Sequence, residues 1–177
     1  MNENKFTWVK THKELTLFLS NKENSQKELI GILKSVGIIP FNDKAKHGDH
    51  DIELDEIDPF TFFCYIYKYG SERRLKYLQN IAENLRISVP NDDSGIPSAN
   101  AQKVWLFPYK YERVNNEIQR LWNFFKKAIN NKITDEDFAD VLLIRNVAKA
   151  KITEALFNIN PEKYFPINGP TKPYLKN

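Results

Sequence analysis

The 177 residues carry 26 Lys and Arg against 23 Asp and Glu, 41% hydrophobic residues and one cysteine. A chain of this size implies one domain whose core folds without staples, and a lone cysteine excludes an internal disulfide framework and fits a reducing compartment. No apolar run approaches the ~18 residues of a membrane span, and residues 1–5 hold no apolar signal core, so a cytoplasmic protein with no membrane partner is expected.

In chain order, residues 11–19 read as a first helix with Leu15, Phe18 and Leu19 on one side. Residues 25–36 read as a second, with Ser25 and Glu28 placed for a capping box and Gly37 as its stop. The acidic stretch that follows carries His47 and His50 among carboxylates. Its spacing matches no compact zinc pattern, so a solvated loop is the simpler reading. Asp58-Pro59 is a helix start, a capping side chain before proline at the first helical position. The helix it opens, residues 59–69, is apolar on nearly every side and should be central. Cys64 lies inside it as a small hydrophobe.

Residues 71–85 form the next predicted helix, capped by Ser71, before an ordered Pro/Asp/Gly/Ser loop over 89–99. Residues 104–107 are a short buried piece, strand or extended turn. The longest predicted helix spans 112–130, with Val114, Ile118, Leu121, Trp122 and Phe125 at helical spacing. Thr134 caps a helix to Leu143, with Asp137 three residues on, and a last helix covers 149–157. The tail from Pro161 holds four prolines and should lie extended on the surface. The fold class is therefore mainly α: one compact multi-helix domain over residues 1–177 with one or two short strands.

Charge is segregated. Residues 42–58 contain seven acids and two lysines, net −5, whereas residues 103–132 contain seven bases and two acids, net +5. A basic face attracts phosphate and an acidic one repels it, although two ordinary solvated surfaces give the same pattern. No phosphate loop, dinucleotide fingerprint or nucleophile elbow is present, so no cofactor, metal or catalytic residue is assigned. His12 has no evident partner in the sequence. Tyr109 and Tyr111 alternate with Lys110 before Arg113, an interleave that can stack on a base while its cations hold phosphate. Trp8, between Lys5 and Lys10, is a weaker case of the same kind.

Residues 143–156 resemble a helix-hairpin-helix, whose Gly-Val-Gly turn offers backbone N–H groups to a phosphate. Asn146 and Ala148 stand at the glycine positions, so the motif is degenerate. Asn accepts the left-handed conformation and Ala does so poorly. An ordinary helix–turn–helix corner is the alternative. A base-excising glycosylase of that kind would carry an aspartate downstream where this chain has Asn168, which argues against such chemistry.

One ordered set of landmarks spans the chain. Asp58-Pro59-Phe60-Thr61-Phe62-Phe63 is followed by Gly95-Ile96-Pro97, Trp105-Leu106-Phe107 and Leu121-Trp122. Leu156-Phe157-Asn158-Ile159-Asn160-Pro161 and Tyr164-Phe165-Pro166-Ile167 close it. In order and spacing these resemble the N-terminal specificity region of McrB-like AAA+ restriction subunits, of the modification-dependent or LlaJI-like type. Asn168 departs from the family's usual Asp. The resemblance implies a phage-defence restriction system in which this chain is a front end that selects double-stranded DNA. A GTP-hydrolysing motor would follow it, and a McrC-like nuclease subunit would cut. Family members carry unrelated folds at this position, so the mode of recognition does not transfer.

The expectation is a non-catalytic DNA-binding module. Lys110, Arg113, Arg120, Lys126, Lys127, Arg145, Lys149 and Lys151 are the candidate phosphate contacts, and Tyr109 and Tyr111 the candidate base contacts. The rival reading is a protein-interaction module that docks the nuclease partner or assists ring assembly.

Overall fold

In the computed structural model, which describes residues 5–175, seven α-helices and one two-stranded sheet build a mainly α molecule. The helices are α1 (Trp8–Leu19), α2 (Gln26–Ser35), α3 (Pro59–Tyr67), α4 (Ser71–Leu85), α5 (Glu117–Ile129), α6 (Asp135–Leu142) and α7 (Lys149–Ile159). The strands are β1 (Asp43–Ala45) and β2 (His50–Ile52), antiparallel, with Asp43 opposite Ile52 and Ala45 opposite His50.

The all-round apolar α3 is the centre, as its composition requires. Every residue in it is buried, and it packs against α2, α4, α5 and α7. Asp58 starts it, accepting from the backbone N–H of Phe60 at 2.9 Å and of Thr61 at 3.0 Å, with Pro59 in the first turn. Phe60 meets Phe124 and Phe125 of α5 with ring centroids 5.9 Å apart. Thr61 Oγ1 donates to Asp58 and accepts from the Leu106 N–H, which fastens the Trp105–Phe107 segment to α3.

Several local expectations are corrected by contacts distant in sequence. α1 begins at Trp8, not at residue 11, because the Asp92 carboxylate accepts from the N–H groups of Phe6 and Thr7 and from the Thr7 hydroxyl. Partial desolvation raises the Asp92 pKa, but these bonds and one from the Ser94 N–H outweigh it and bring it down to about 2. Trp8 is buried and donates to the Ser94 carbonyl at 2.8 Å, so it is a core residue rather than a base contact. Ser25 makes no capping bond to α2, and Glu28 pairs with Lys22 instead. Ser71 does not cap α4 either; its hydroxyl donates to Asp93, which also holds the buried Arg74. His12 is fully enclosed between the Tyr67 hydroxyl and the Asn158 carbonyl.

The acidic loop is not an open loop: it contains the whole sheet, whereas residues 104–107 form no strand. α5 begins at Glu117, preceded by a single 3-10 turn at Lys110–Glu112 and by a left-handed Asn116. Val114, read as part of its apolar stripe, is exposed. The capping box of α6 is formed as expected from Thr134 and Asp137. The tail is not extended throughout: turns at residues 161–163 and 169–171 interrupt it before a 3-10 turn at Lys172–Leu175, and Tyr164 ties it down, its hydroxyl donating to the Ala128 carbonyl at 2.9 Å.

Candidate nucleic-acid interface

The eight candidate cations do not form one unpaired basic face. Lys110 pairs with Asp55 at 3.2 Å and Arg120 with Asp140 at 2.8 Å. Lys126 pairs with Glu23, Lys127 with Asp137 and Arg145 with Glu112. Arg113 is committed most deeply. Its side chain is 9% exposed and donates at 2.5 Å to Asp43, which is itself fully buried and also accepts from the Lys110 N–H. That removes Arg113 from the phosphate candidates and makes it the clamp between β1 and the 109–113 segment. Lys151 is largely buried and donates to the Trp105 carbonyl; burial lowers its pKa. Lys149 alone of the eight has neither an ion-pair partner among the described residues nor a buried position. The acidic and basic stretches of sequence are thus partly folded against each other.

The hairpin takes the conformation that its residues permit. Asn146 is left-handed at φ 81, and its side-chain N–H₂ donates to the Phe107 carbonyl at 2.9 Å. Ala148 escapes the left-handed region by standing extended at φ −118, ψ 152 before α7. The turn is a corner that holds residues 105–107 from the other side.

Between this corner and β1 lies a cleft of about 200 Å³. Trp105 forms its recessed part at 7% exposure, Phe41 and Tyr109 stand at its rim, and Gln102, Lys103 and Asn146 complete the polar side. The Tyr65 hydroxyl, in the core behind, accepts from Trp105 Nε1 and from the Phe41 N–H at 3.1 Å, which fixes both ring-bearing segments to α3. Burial pushes the Tyr65 hydroxyl up to about 12, so it stays neutral in this role. The Trp105 and Tyr109 rings meet edge to face at 5.4 Å, and Tyr109 stacks beside Tyr111 at 6.3 Å. Tyr111 in turn covers Gly48, where any Cβ would lie 3.6 Å from the phenol ring and φ is +93. The two tyrosines therefore diverge in role: Tyr109 lines the cleft, and Tyr111 packs on the β1–β2 turn.

Lysines border the cleft. Lys103 lies in its wall. Lys68 Nζ sits 4.6 Å over the Phe41 ring and 5.0 Å over those of Tyr65 and Tyr69, with no carboxylate partner among the described residues. Burial lowers its pKa. Lys44 Nζ is 5.7 Å over the Tyr109 ring and reaches Asp51 only at 3.9 Å. Ring faces attract these cations without neutralising them. The sequence reading missed Phe41, Lys44, Lys68, Gln102 and Lys103. They come from three separate segments, and the only signal available was the basic-aromatic Lys103-Val104-Trp105 triplet.

Among the described residues no group of three His, Cys, Asp or Glu side chains could hold a metal ion, and no helix is long and apolar enough to cross a membrane. No curated protein and no solved structure matches the chain. A family described as a domain of unknown function covers residues 8–177, nearly the whole length, and the chain belongs to that family, DUF8425.

Proposed function

We propose that this chain is a non-catalytic DNA-recognition module, the part of a McrB-like restriction complex that selects the target for a motor and a McrC-like nuclease. One observation carries the reading: an aromatic cleft bordered by lysines that no close carboxylate neutralises. Lys103 and Lys68, with Lys149 three residues beyond Asn146, offer cations for which phosphate competes only against water and ring faces, and Lys44 adds one whose carboxylate partner, Asp51, is 3.9 Å away. The paired cations Lys110, Arg120, Lys126, Lys127 and Arg145 form a second tier. An exposed ion pair contributes only ~0–1 kcal/mol, so a phosphate displaces the carboxylate at small cost. No residue lining the cleft is a carboxylate, which supports recognition without chemistry there. The order of motifs shared with the McrB-like region supports the same reading.

The test is binding of the chain to modified and unmodified duplexes across a salt series. Each lost phosphate contact flattens the log–log salt dependence by about one unit. Lys103→Ala with Lys149→Ala is expected to flatten it by about two, and Lys126→Ala with Lys127→Ala by less. Absence of binding at low salt overturns the proposal. A protein-docking surface for the nuclease partner or for ring assembly is the second reading. It draws on Leu143 and Val114, large apolar side chains exposed on segments that the Arg145–Glu112 pair ties together. On that reading the lysine substitutions leave DNA affinity unchanged.

A further inference from the structure

At the start of α5 lies a hollow of about 510 Å³, lined by that helix, by the turn before it and by Glu56. Left-handed Asn116, at φ 52, reverses the chain there. The N–H groups of Val114 and Asn115 donate to Glu117 Oε1 at 3.3 and 3.2 Å. Glu117 is 5% exposed, yet its other oxygen, Oε2, is covered and has no hydrogen-bond partner. Arg113 lines the same hollow. Its Nη2 is taken by Asp43, with Glu56 at 3.7 Å, while its Nη1 is covered and unpartnered. Of four such side-chain atoms among the described residues, two meet here, one a donor and one an acceptor. A buried polar atom without a partner costs folding free energy, which a group supplying the missing bond returns on binding.

The neighbouring amides do not supply those bonds. Gln26 is spent on the Glu23 carbonyl and the Ile57 N–H, and Gln119 on Glu23 and Asn123. Charge then selects the ligand. Asp43 balances Arg113, so Glu117 and Glu56 leave the hollow acidic. The positive end of the α5 dipole, about half a charge, offsets only part of two carboxylates. An anion is repelled, and a cation that donates hydrogen bonds is attracted. Arg113 Nη1 needs the opposite, an acceptor, which a bare cation lacks. A basic residue within a peptide chain carries both groups. Its side chain donates to the carboxylates, and a main-chain carbonyl accepts from Arg113. Val114, 78% exposed beside the hollow, gives the adjoining segment apolar surface. A guanidinium suits the site better than an ammonium, because it is planar, more weakly hydrated and able to serve two carboxylates at once.

We propose that this hollow docks an arginine-bearing segment of a partner protein, with the guanidinium on Glu117 Oε2 and Glu56 and a main-chain carbonyl on Arg113 Nη1. The site needs neither the aromatic cleft nor DNA, and it stands whether or not the chain binds a duplex.

Backbone amide shifts of the chain are followed by NMR on titration with N-acetyl-arginine-N-methylamide, its glutamine and glutamate analogues, and methylguanidinium. The arginine compound shifts residues 113–119 and binds more tightly than the other three. Glu117→Gln keeps an oxygen for the Val114 and Asn115 N–H groups and lowers that affinity roughly tenfold; Glu56→Gln, at a half-exposed position, lowers it about threefold. Thermal melting checks that both variants keep the fold. Equal or tighter binding of the glutamine or glutamate compound, or arginine binding indifferent to both substitutions, overturns the basic occupant. Methylguanidinium binding as tightly as the arginine compound overturns the main-chain contact and with it the segment. No shift at residues 113–119 with any of the four overturns the docking site, the two buried atoms then needing no partner beyond water.

Discussion

At the scale of single residues, two buried titratable groups set opposing demands on pH. Desolvation by burial holds His12 down to about 3, against a backbone hydrogen bond to Asn158, so it stays neutral in the folded state. Desolvation also pushes the Asp58 carboxyl up to about 6, against the hydrogen bonds of Thr61 and Phe60 and the charge of Lys151. The stability that neutral His12 supplies is present above its unfolded value of 6.5 and is lost as pH falls toward 3. For Asp58 the sign reverses: the burial cost is absent below 3.8 and is incurred as pH rises to about 6. Between roughly pH 4 and 6 the unfolded chain protonates His12 and ionises Asp58, while the folded one does the opposite. The proton counts match and the two slopes cancel. Asp58→Asn keeps a capping side chain but removes one side of this balance. Relative to the unaltered chain, its stability falls by about 1.4 kcal/mol per pH unit on acidification across that window. Urea midpoints at several pH values check this; parallel curves for the two proteins contradict it.

At the scale of elements, capping depends on the backbone conformation of the cap residue. Thr134 stands extended at φ −105, ψ 169 and forms its box with Asp137, whose Oδ2 accepts from the Thr134 N–H while its Oδ1 takes Lys127. Ser25 and Glu28 match the same pattern, but Ser25 ends a 3-10 turn at φ −132, ψ 37 and makes no capping bond. Thr134→Ala should therefore cost about 1 kcal/mol and Ser25→Ala close to nothing, measured by chemical denaturation. Equal losses would show that the two caps are equivalent. The hairpin depends on a single carboxylate. Asp43 is fully buried, accepts from Arg113 at 2.5 Å and from the Lys110 N–H at 2.8 Å, and so joins β1 to the segment carrying Tyr109. Asp43→Ala leaves the buried Arg113 only the more distant, half-exposed Glu56 at 3.7 Å and should destabilise the chain by about 3 kcal/mol, the low end for a broken buried pair. Adding Arg113→Met should recover much of it. A double variant as unstable as the single one would exclude the unpaired charge as the cause.

For the molecule as a whole, charge segregated along the sequence does not remain segregated in space. Asp43, Asp55 and Glu56 of the acidic stretch lie against Lys110 and Arg113 of the basic one. Lys103 lines a cleft whose walls come from residues 41, 102–105, 109 and 146, and Lys68 and Lys44 lie over the Phe41 and Tyr109 rings at its rim. The sequence by itself determined the helical class, the buried α3 with its Asp58-Pro59 start, the Thr134 cap and the left-handed turn at Asn146. Each is settled within a few residues, by periodicity, by a side chain reaching its own backbone, or by the conformations that one residue type allows. Tertiary structure alone decided which cations are free and which rings share a cleft. Ion pairing and burial join positions tens of residues apart, as Asp92 does with Thr7 and Tyr65 with Trp105. No local spacing encodes which distant partner a side chain will meet.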